Sequence, residues 1–381
     1  LSSMNEPWAF HNPVAVHFGA GSINDLGTRL PGQRLLLVTT PGMTRRGVTE
    51  QIMGLGDGRI VEVFDEVTPN PTMANLDKTT GRFRTGNFDG VVAFGGGSAV
   101  DTGKILGVML GCPESFSLHA HFLEKMPIPE VPGLPVTAIP TTSGTGSEVT
   151  PFATVWDSES VNKYSLTHAR MFPLHAIIDP QLTYELPWDV TRATGLDAFC
   201  QALESIWNQN ANPVTLGYAR RAAKLAWDAL IQGKVLMDSE ATRSKLMEAS
   251  LLAGLAISHT RTALCHSISY PVTARFGLAH GLACAITMPA VLRFNASVDD
   301  GRLSQLAGGL GYNTAIDLAS GIDDLLSKLQ LPHLLAKHGV TLALMQELQP
   351  AMVTIGRADN TLRKLSDGDL AMILSEIVFK S

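Results

Sequence analysis

VVAFGGGSAVDTGK, residues 91–104, is the stretch that decides how the chain folds. Four apolar residues run into three glycines, and a helix-compatible run follows. A short apolar run bounded by glycine reads as a buried strand, so the stretch is a strand, a tight turn and the start of a helix. Working outward, LLLV (35–38), VEVF (61–64), VTAI (136–139) and AIID (176–179) read as further strands. Helical patterns lie between several of them, near 43–54, 73–85 and 98–110. Alternating strands and helices imply a mostly parallel sheet with right-handed crossovers. Such a sheet takes ligands at the carboxyl ends of its strands.

The turn has the chemistry for a ligand. Gly95, Gly96 and Gly97 let the backbone come close to one, Ser98 and Asp101 add polar groups, and the helix that follows offers free N–H groups to a phosphate. It matches neither standard fingerprint. GxGxxG fails because Val100 stands at the third glycine, and GxxxxGK[ST] fails at Ser98 and Ile105. A tight strand–helix turn with no ligand is the alternative. The strand VTAI runs into a second such loop, PTTSGTGSEVT (140–150). Thr141, Thr142, Ser143, Thr145 and Ser147, with the glycines among them, suit a diphosphate or ribose. Two such loops on one sheet favour a dinucleotide over either loop alone. Glu148 either orients water or a nicotinamide amide, or is an ordinary loop carboxylate.

From about residue 183 the strand patterns stop. WDVTRATGLDAFCQALESIW, PVTLGYARRAAKLAWDALIQ, ATRSKLMEASLLAGLAISH and LACAITMPAVLRFNAS read as helices, with more near 302–309, 315–329, 341–355 and 367–379. Ser366 and Asp369 resemble a capping pair for the last. The 381 residues therefore divide into an α/β dinucleotide-binding domain, 1–182, and an all-helical domain, 183–381.

The helical half carries RTALCHSISYPVTARFGLAHG (261–281), with His266 and His280 fourteen residues apart. A metal site draws donors from several segments. Upstream, in GLDAFCQALES, Asp197 and Gln201 stand at i and i+4 and share a helix face. Asp197, Gln201, His266 and His280 thus form a candidate set of mixed oxygen and nitrogen donors. The competing reading is two hydrogen-bonded core histidines.

With 45% apolar and 17% charged residues the chain is globular. Its net charge of -6 argues against nucleic acid or an anionic membrane as partner. Cys112, Cys200, Cys265 and Cys284 show no CxxC or disulfide-like spacing, which fits a reducing cytoplasm. No apolar run approaches the roughly 18 residues of a membrane span, and no signal-peptide pattern opens the sequence.

These segments together resemble the iron-containing (group III) alcohol dehydrogenases over essentially the whole chain. The resemblance rests on GGGSAVD, TTSGTGSE, IIDP (177–180), GLDA and AHGLACA. It implies a Rossmann-like N-terminal domain, a helical C-terminal domain, an NAD(P)H cofactor and one divalent metal, Fe2+ or Zn2+. It places the metal ligands on Asp197, Gln201, His266 and His280. Two positions depart from the family pattern. Gln201 stands where histidine is usual, and an amide oxygen is a weaker, harder donor than imidazole. Tyr270 stands where a further histidine is frequent, and its phenol either passes a proton to a developing alkoxide or packs against the nicotinamide. Thr40 replaces an aspartate that in many relatives holds the adenosine ribose. Its absence permits NADP, with Arg45 or Arg46 assisting.

Arg261 stands where the family more usually has a small apolar residue. A guanidinium there suits a phosphonate, sulfonate or carboxylate, and a structural salt bridge is the other reading. Lys163, His168 and Arg170, in KYSLTHARMFP, are further cations of this kind. The segments 204–213, 260–285 and 163–173 most resemble the phosphonoacetaldehyde reductase branch. That implies reduction of a small anionic aldehyde, with sulfoacetaldehyde reduction or general short-chain alcohol oxidation as alternatives. A dehydroquinate synthase-like lyase is the alternative from another class. A homo-oligomer, a dimer, is expected.

Overall fold

The computed structural model describes residues 7–157 and 163–377. It has two compact units. One comprises residues 12–142 and 147–185, and the other 1–11, 143–146 and 186–381.

The first unit holds a six-stranded parallel sheet. Its strands are β1 (Ala15–Phe18), β2 (Leu35–Val38), β3 (Ile60–Phe64), β4 (Gly90–Gly95), β5 (Val136–Pro140) and β8 (His175–Ile178), in the order β1-β8-β5-β4-β2-β3. An antiparallel hairpin, β6 (Phe152–Trp156) with β7 (Lys163–Thr167), forms a separate two-stranded sheet. The five strands expected from sequence are all present. Leu35–Val38 and Gly90–Gly95 are buried along their whole length, as strands covered on both faces must be. Two parts were not anticipated. β1 is an edge strand with Val16 and Phe18 exposed, so its short AVHF run lacks a buried strand's signature. The hairpin's first strand alternates buried and half-buried residues, a period-2 pattern that is legible in FATVW, whereas only Leu166 is buried in the second.

The helix expected at 43–54 is two, Pro41–Arg45 and Val48–Leu55. Gly47 breaks it with φ of +71°, a left-handed conformation that glycine adopts without a Cβ clash. The Gly97–Met109 helix lies directly on β4 and β5. A Cβ at Gly103 would overlap Ala93, and one at Gly107 would stand 2.8 Å from Val136 Cγ2.

Among the described residues of the second unit there are helices and no strands. Three long helices, Trp188–Ile206, Pro213–Leu230 and Glu240–Thr260, pack together around one apolar core. Leu264–Phe276 follows, continuous through Pro271 and ended by Gly277 at φ +62°. The loop between it and the next helix is only Gly277–Ala279. His280–Ala285 and Met288–Ala296 are separate helices. The expected 341–355 helix is Leu342–Glu347 and Gln349–Met352. The last helix spans Asp369–Ser375 and is entered through Gly368 at φ +88°; residues 378 and 379 of its expected span lie outside the described ones. Ser366 and Asp369 do pair, but both the Ser366 amide and its hydroxyl donate to the Asp369 carboxylate, and with Gly368 at the N-cap the pair closes a turn ahead of the helix instead of capping it. No helix among the described residues is long and apolar enough to cross a membrane.

Candidate functional site

In the helical unit, the Trp188–Ile206 helix is buried nearly throughout, so its polar residues need partners inside the protein. Asp197, Gln201 and Glu204 fall at i, i+4 and i+7 and form one stripe. Glu204 is fully buried. It accepts from the amides of Ala263 (2.6 Å) and His266 (3.1 Å), which open the Leu264–Phe276 helix. It also stands 2.7 Å from His266 Nδ1. A carboxylate accepts only, so Nδ1 carries a proton, and in the neutral ring, the form that binds a metal, Nε2 presents its lone pair. That lone pair faces Asp197 Oδ1 at 3.3 Å.

Two acceptors this close, both buried, call for something between them. Asp197 Oδ1 and Gln201 Oε1 are both buried with no hydrogen-bond partner, although each residue is only 4% exposed. His280 joins them, its ring centroid 5.3 Å from that of His266. Gly281 makes this approach possible, since a Cβ there would overlap the Ala193 carbonyl oxygen and stand 2.9 Å from Asp197 Cβ. One donor atom from each of Asp197, His266, His280 and Cys284 lies within 4.8 Å of every other. Orphaned oxygens beside imidazole lone pairs are the donor chemistry of a divalent cation, so these residues fit a metal. Tyr270 stacks on His280, with centroids 6.1 Å apart and planes at 15°.

Sequence reasoning missed Glu204 and Cys284. The i+7 spacing from Asp197, and i+4 from His280, were the available signals.

Arg261 is half-buried and sits in the left-handed region, φ +60°. Its carbonyl accepts from Thr260 Oγ1 and Asn208 Nδ2, which fixes the backbone. Its guanidinium has no ion pair among the described residues. Burial, and then the charge of Arg357, lower its pKa. The salt-bridge reading of Arg261 is therefore not what the structure holds.

In the α/β unit the sheet order reverses at β2 and β4, where such folds open a crevice. Thr40 follows β2, Gly95 to Gly97 close β4, and Thr141 and Thr142 follow β5. The Thr141 amide donates to the Gly95 carbonyl at 2.9 Å. A Cβ on Gly95, which has φ of +146°, would stand 2.8 Å from Ala99 Cβ and 4.0 Å from Thr40 Cγ2; one on Gly96 would stand 3.4 Å from Thr142 Cγ2. Thus Thr40, Gly95, Gly96 and Thr142 gather at one end of the sheet. The thirteen-residue helix that starts at Gly97 and Ser98 has no side-chain cap and no acid in its first turn. Its N-terminus is free for an anion, and these residues fit a nucleotide phosphate.

Other expected residues are engaged elsewhere. Asp101 accepts from Ser147 Oγ and from the Thr154 amide (2.8 Å), so both its oxygens tie the 147–154 segment down. Lys104 is fully buried and donates to Ser147 O (2.8 Å), Ser147 Oγ (2.9 Å), Thr150 Oγ1 (3.2 Å) and Phe152 O (2.6 Å). Ser143 lies in the helical unit, buried with its hydroxyl 3.4 Å from Met247 Sδ. Thr145 sits there too, between two glycines set by packing. A Cβ at Gly144 would stand 2.8 Å from Thr194 Cβ, and one at Gly146 would overlap Gly254. Lys163 lies over the Trp156 ring, 5.9 Å from its centroid. Arg170 donates to the carbonyls of Pro129 and Val131 and to His168 Nδ1, which leaves neither side chain an open cation. Burial and Arg170 lower the His168 pKa. Arg46 is held by Gly42 O and Met43 Sδ, while Arg45 is exposed.

Comparison with known proteins shows the family. Residues 13–180 match the family model "Iron-containing alcohol dehydrogenase", and 191–377 match "Fe-containing alcohol dehydrogenase family, C-terminal". The chain is 32% identical over 338 residues to a 4-hydroxybutyrate dehydrogenase of Cupriavidus necator, covering 86% of this chain and 88% of that one. It is 32% identical over 308 residues to long-chain-alcohol dehydrogenase 1 of Geobacillus thermodenitrificans, covering 80% and 77%. Among solved structures it resembles sulfoacetaldehyde reductase from Bifidobacterium kashiwanohense in complex with NAD+, with a TM-score of 0.90, 29% identity and coverage of 98% and 99%. The chain belongs to the iron-containing alcohol dehydrogenase family and is a nicotinamide- and metal-dependent alcohol/aldehyde oxidoreductase.

Proposed function

We propose that the enzyme reduces a small anionic aldehyde to its primary alcohol, with phosphonoacetaldehyde giving 2-hydroxyethylphosphonate as the best-fitting case. The observation that carries this reading is Arg261, a half-buried guanidinium with no ion pair among the described residues, under the added field of Arg357. A buried cation with no counter-charge is costly, and an anionic substrate group relieves that cost with charge-assisted hydrogen bonds.

Asp197, Gln201, His266 and His280 would hold the metal. When bound, the ion polarises the carbonyl oxygen as a Lewis acid, worth several kcal/mol of charge stabilisation. NAD(P)H supplies the hydride that reduces the carbonyl carbon. Glu204 keeps His266 in the tautomer whose Nε2 faces the donor set. Tyr270, stacked on His280, carries at its phenol oxygen a proton suited to the developing alkoxide. Thr40, Gly95, Gly96, Gly97, Ser98, Thr141 and Thr142 would bind the cofactor, and Thr40 sets up no charge repulsion against NADPH. Lys163, Asp101, Ser143, Thr145 and Ser147 stay in the proposed site at lower rank, because each already has a local partner or packing role. Four buried cysteines without disulfides support a reducing, cytoplasmic setting. A homodimer is part of the same proposal.

Sulfoacetaldehyde is the second reading, favoured by the likeness to a sulfoacetaldehyde reductase. A panel of phosphonoacetaldehyde, sulfoacetaldehyde, succinic semialdehyde, lactaldehyde and butyraldehyde, with NADH and with NADPH, separates the two by kcat/KM. Net NAD(P)H loss excludes a lyase, which regenerates its cofactor each turnover. For Arg261→Ala we expect KM for the anionic aldehydes to rise by roughly tenfold or more, in line with loss of a charged hydrogen bond worth about 1.5–3 kcal/mol, with butyraldehyde little changed. An equal rise for both kinds of substrate overturns the anion-binding role.

A further inference from the structure

We infer that Cys284 is a metal ligand in this chain, a thiolate donor that makes up for the weak amide at Gln201 and tilts the site toward zinc. The inference rests on the metal-dependent reading above and goes beyond its four donors. Cys284 lies one helical turn after His280, fully buried, with Sγ 3.7 Å from His280 Nε2. Its sulfur belongs to the same group of mutually close donor atoms as Asp197, His266 and His280.

The spacings suit a shared ion. Tetrahedral bonds of about 2.0–2.1 Å to nitrogen or oxygen and 2.3 Å to sulfur put donor pairs about 3.3–3.6 Å apart. The Asp197–His266 pair is at 3.3 Å and the Cys284–His280 pair at 3.7 Å. Asp197 Oδ1 and Gln201 Oε1, both buried and without hydrogen-bond partners, are the independent sign that a cation belongs there. Cys200 does not compete for the role. Its sulfur lies 4.0 Å from His266 Nδ1, the nitrogen that Glu204 occupies, and 3.9 Å from the Cys284 carbonyl oxygen. Its sulfur groups with Glu204 and His266, whereas that of Cys284 groups with Asp197, His266 and His280.

Soft thiolate favours zinc or cobalt over the harder ions that a carboxylate, an amide and imidazoles alone accept. On binding, the thiol gives its proton to solvent as the metal–sulfur bond forms. Neither oxidation nor reduction is involved.

The test uses the full chain, stripped of metal and reloaded with Co2+. We expect one Co2+ per chain and a near-ultraviolet thiolate-to-cobalt charge-transfer band. In Cys284→Ser, Co2+ should still bind, the band should vanish, and Zn2+ affinity should fall more than Fe2+ affinity. Gln201→Ala should keep the band. If wild type binds Co2+ without the band, or if Cys284→Ser retains it, the thiolate assignment is overturned and the metal-dependent reading stands. If wild type binds no Co2+ or Zn2+, both fall. The wild-type spectrum alone decides, so a poorly folding variant does not block the test.

Discussion

Each unit buries a cluster of charged side chains on a long helix, and the two clusters are finished differently. Lys104, on the Gly97–Met109 helix, spends its ammonium on four oxygens, and Asp101 beside it takes two further hydrogen bonds. Asp197 and Gln201, on the Trp188–Ile206 helix, leave oxygens unpaired in an equally dry place. Burial is costly in both. A saturated cluster has its partners within the fold, so it is structural. A half-saturated one needs a partner from outside, and that is what marks a binding site in this molecule.

The sharpest way to break this contrast is a pair of substitutions. Lys104→Met strands several buried acceptors and should cost about 3–5 kcal/mol of unfolding free energy, read by denaturant titration with or without metal. Asp197→Asn should leave the metal-free protein within about 1 kcal/mol of wild type while metal content after dialysis drops to background. If Asp197→Asn destabilised the metal-free chain as much as Lys104→Met, the two clusters would be of one kind.

A subtler probe is Glu204→Gln. An amide cannot accept from two backbone amides and His266 Nδ1 as a carboxylate does. Metal affinity should fall roughly 10–100-fold, measured by competition with a chelator. An unchanged affinity would mean that His266 is oriented without Glu204.

The smallest effect concerns the saturated side. Burial pushes the Glu148 carboxyl up to about 7, against the pull of Lys104, while burial takes Lys104 down to about 8. Between its ordinary pKa and about 7, folded Glu148 holds a proton that the unfolded chain has lost. Stability therefore falls as pH rises through that window. Glu148→Gln should remove the slope, gaining stability at pH 8 relative to pH 5. A parallel pH profile for both proteins would show that Glu148 titrates normally.

Much of this was legible before any coordinates, and the reasons are particular. The five strands under the helices announced themselves because full burial demands continuous apolar runs, as in LLLV and VVAF. Asp197, His266 and His280 converge as their pattern indicated. Edge strand β1 did not announce itself, since a half-exposed strand has no such run. The packing role of the 140–150 loop is hidden for a related reason. Gly144 and Gly146 are required by contact with Thr194 and Gly254, and packing of this kind has no local signature. Arg170 and Lys163 show the same limit, because a cation in sequence does not reveal whether a carbonyl or a ring already holds it.

Residues 143–146 also bear on how the chain can be divided. This four-residue tongue is grouped with the helices, although the chain on either side of it is not. A fragment beginning at residue 186 would be a lock missing its wedge, with bare backbone at Gly254 and an open slot beside Thr194. The helical half and its metal donors are thus not a cassette that can be lifted out by cutting once, and grafting them onto another nucleotide-binding partner would require carrying that tongue along.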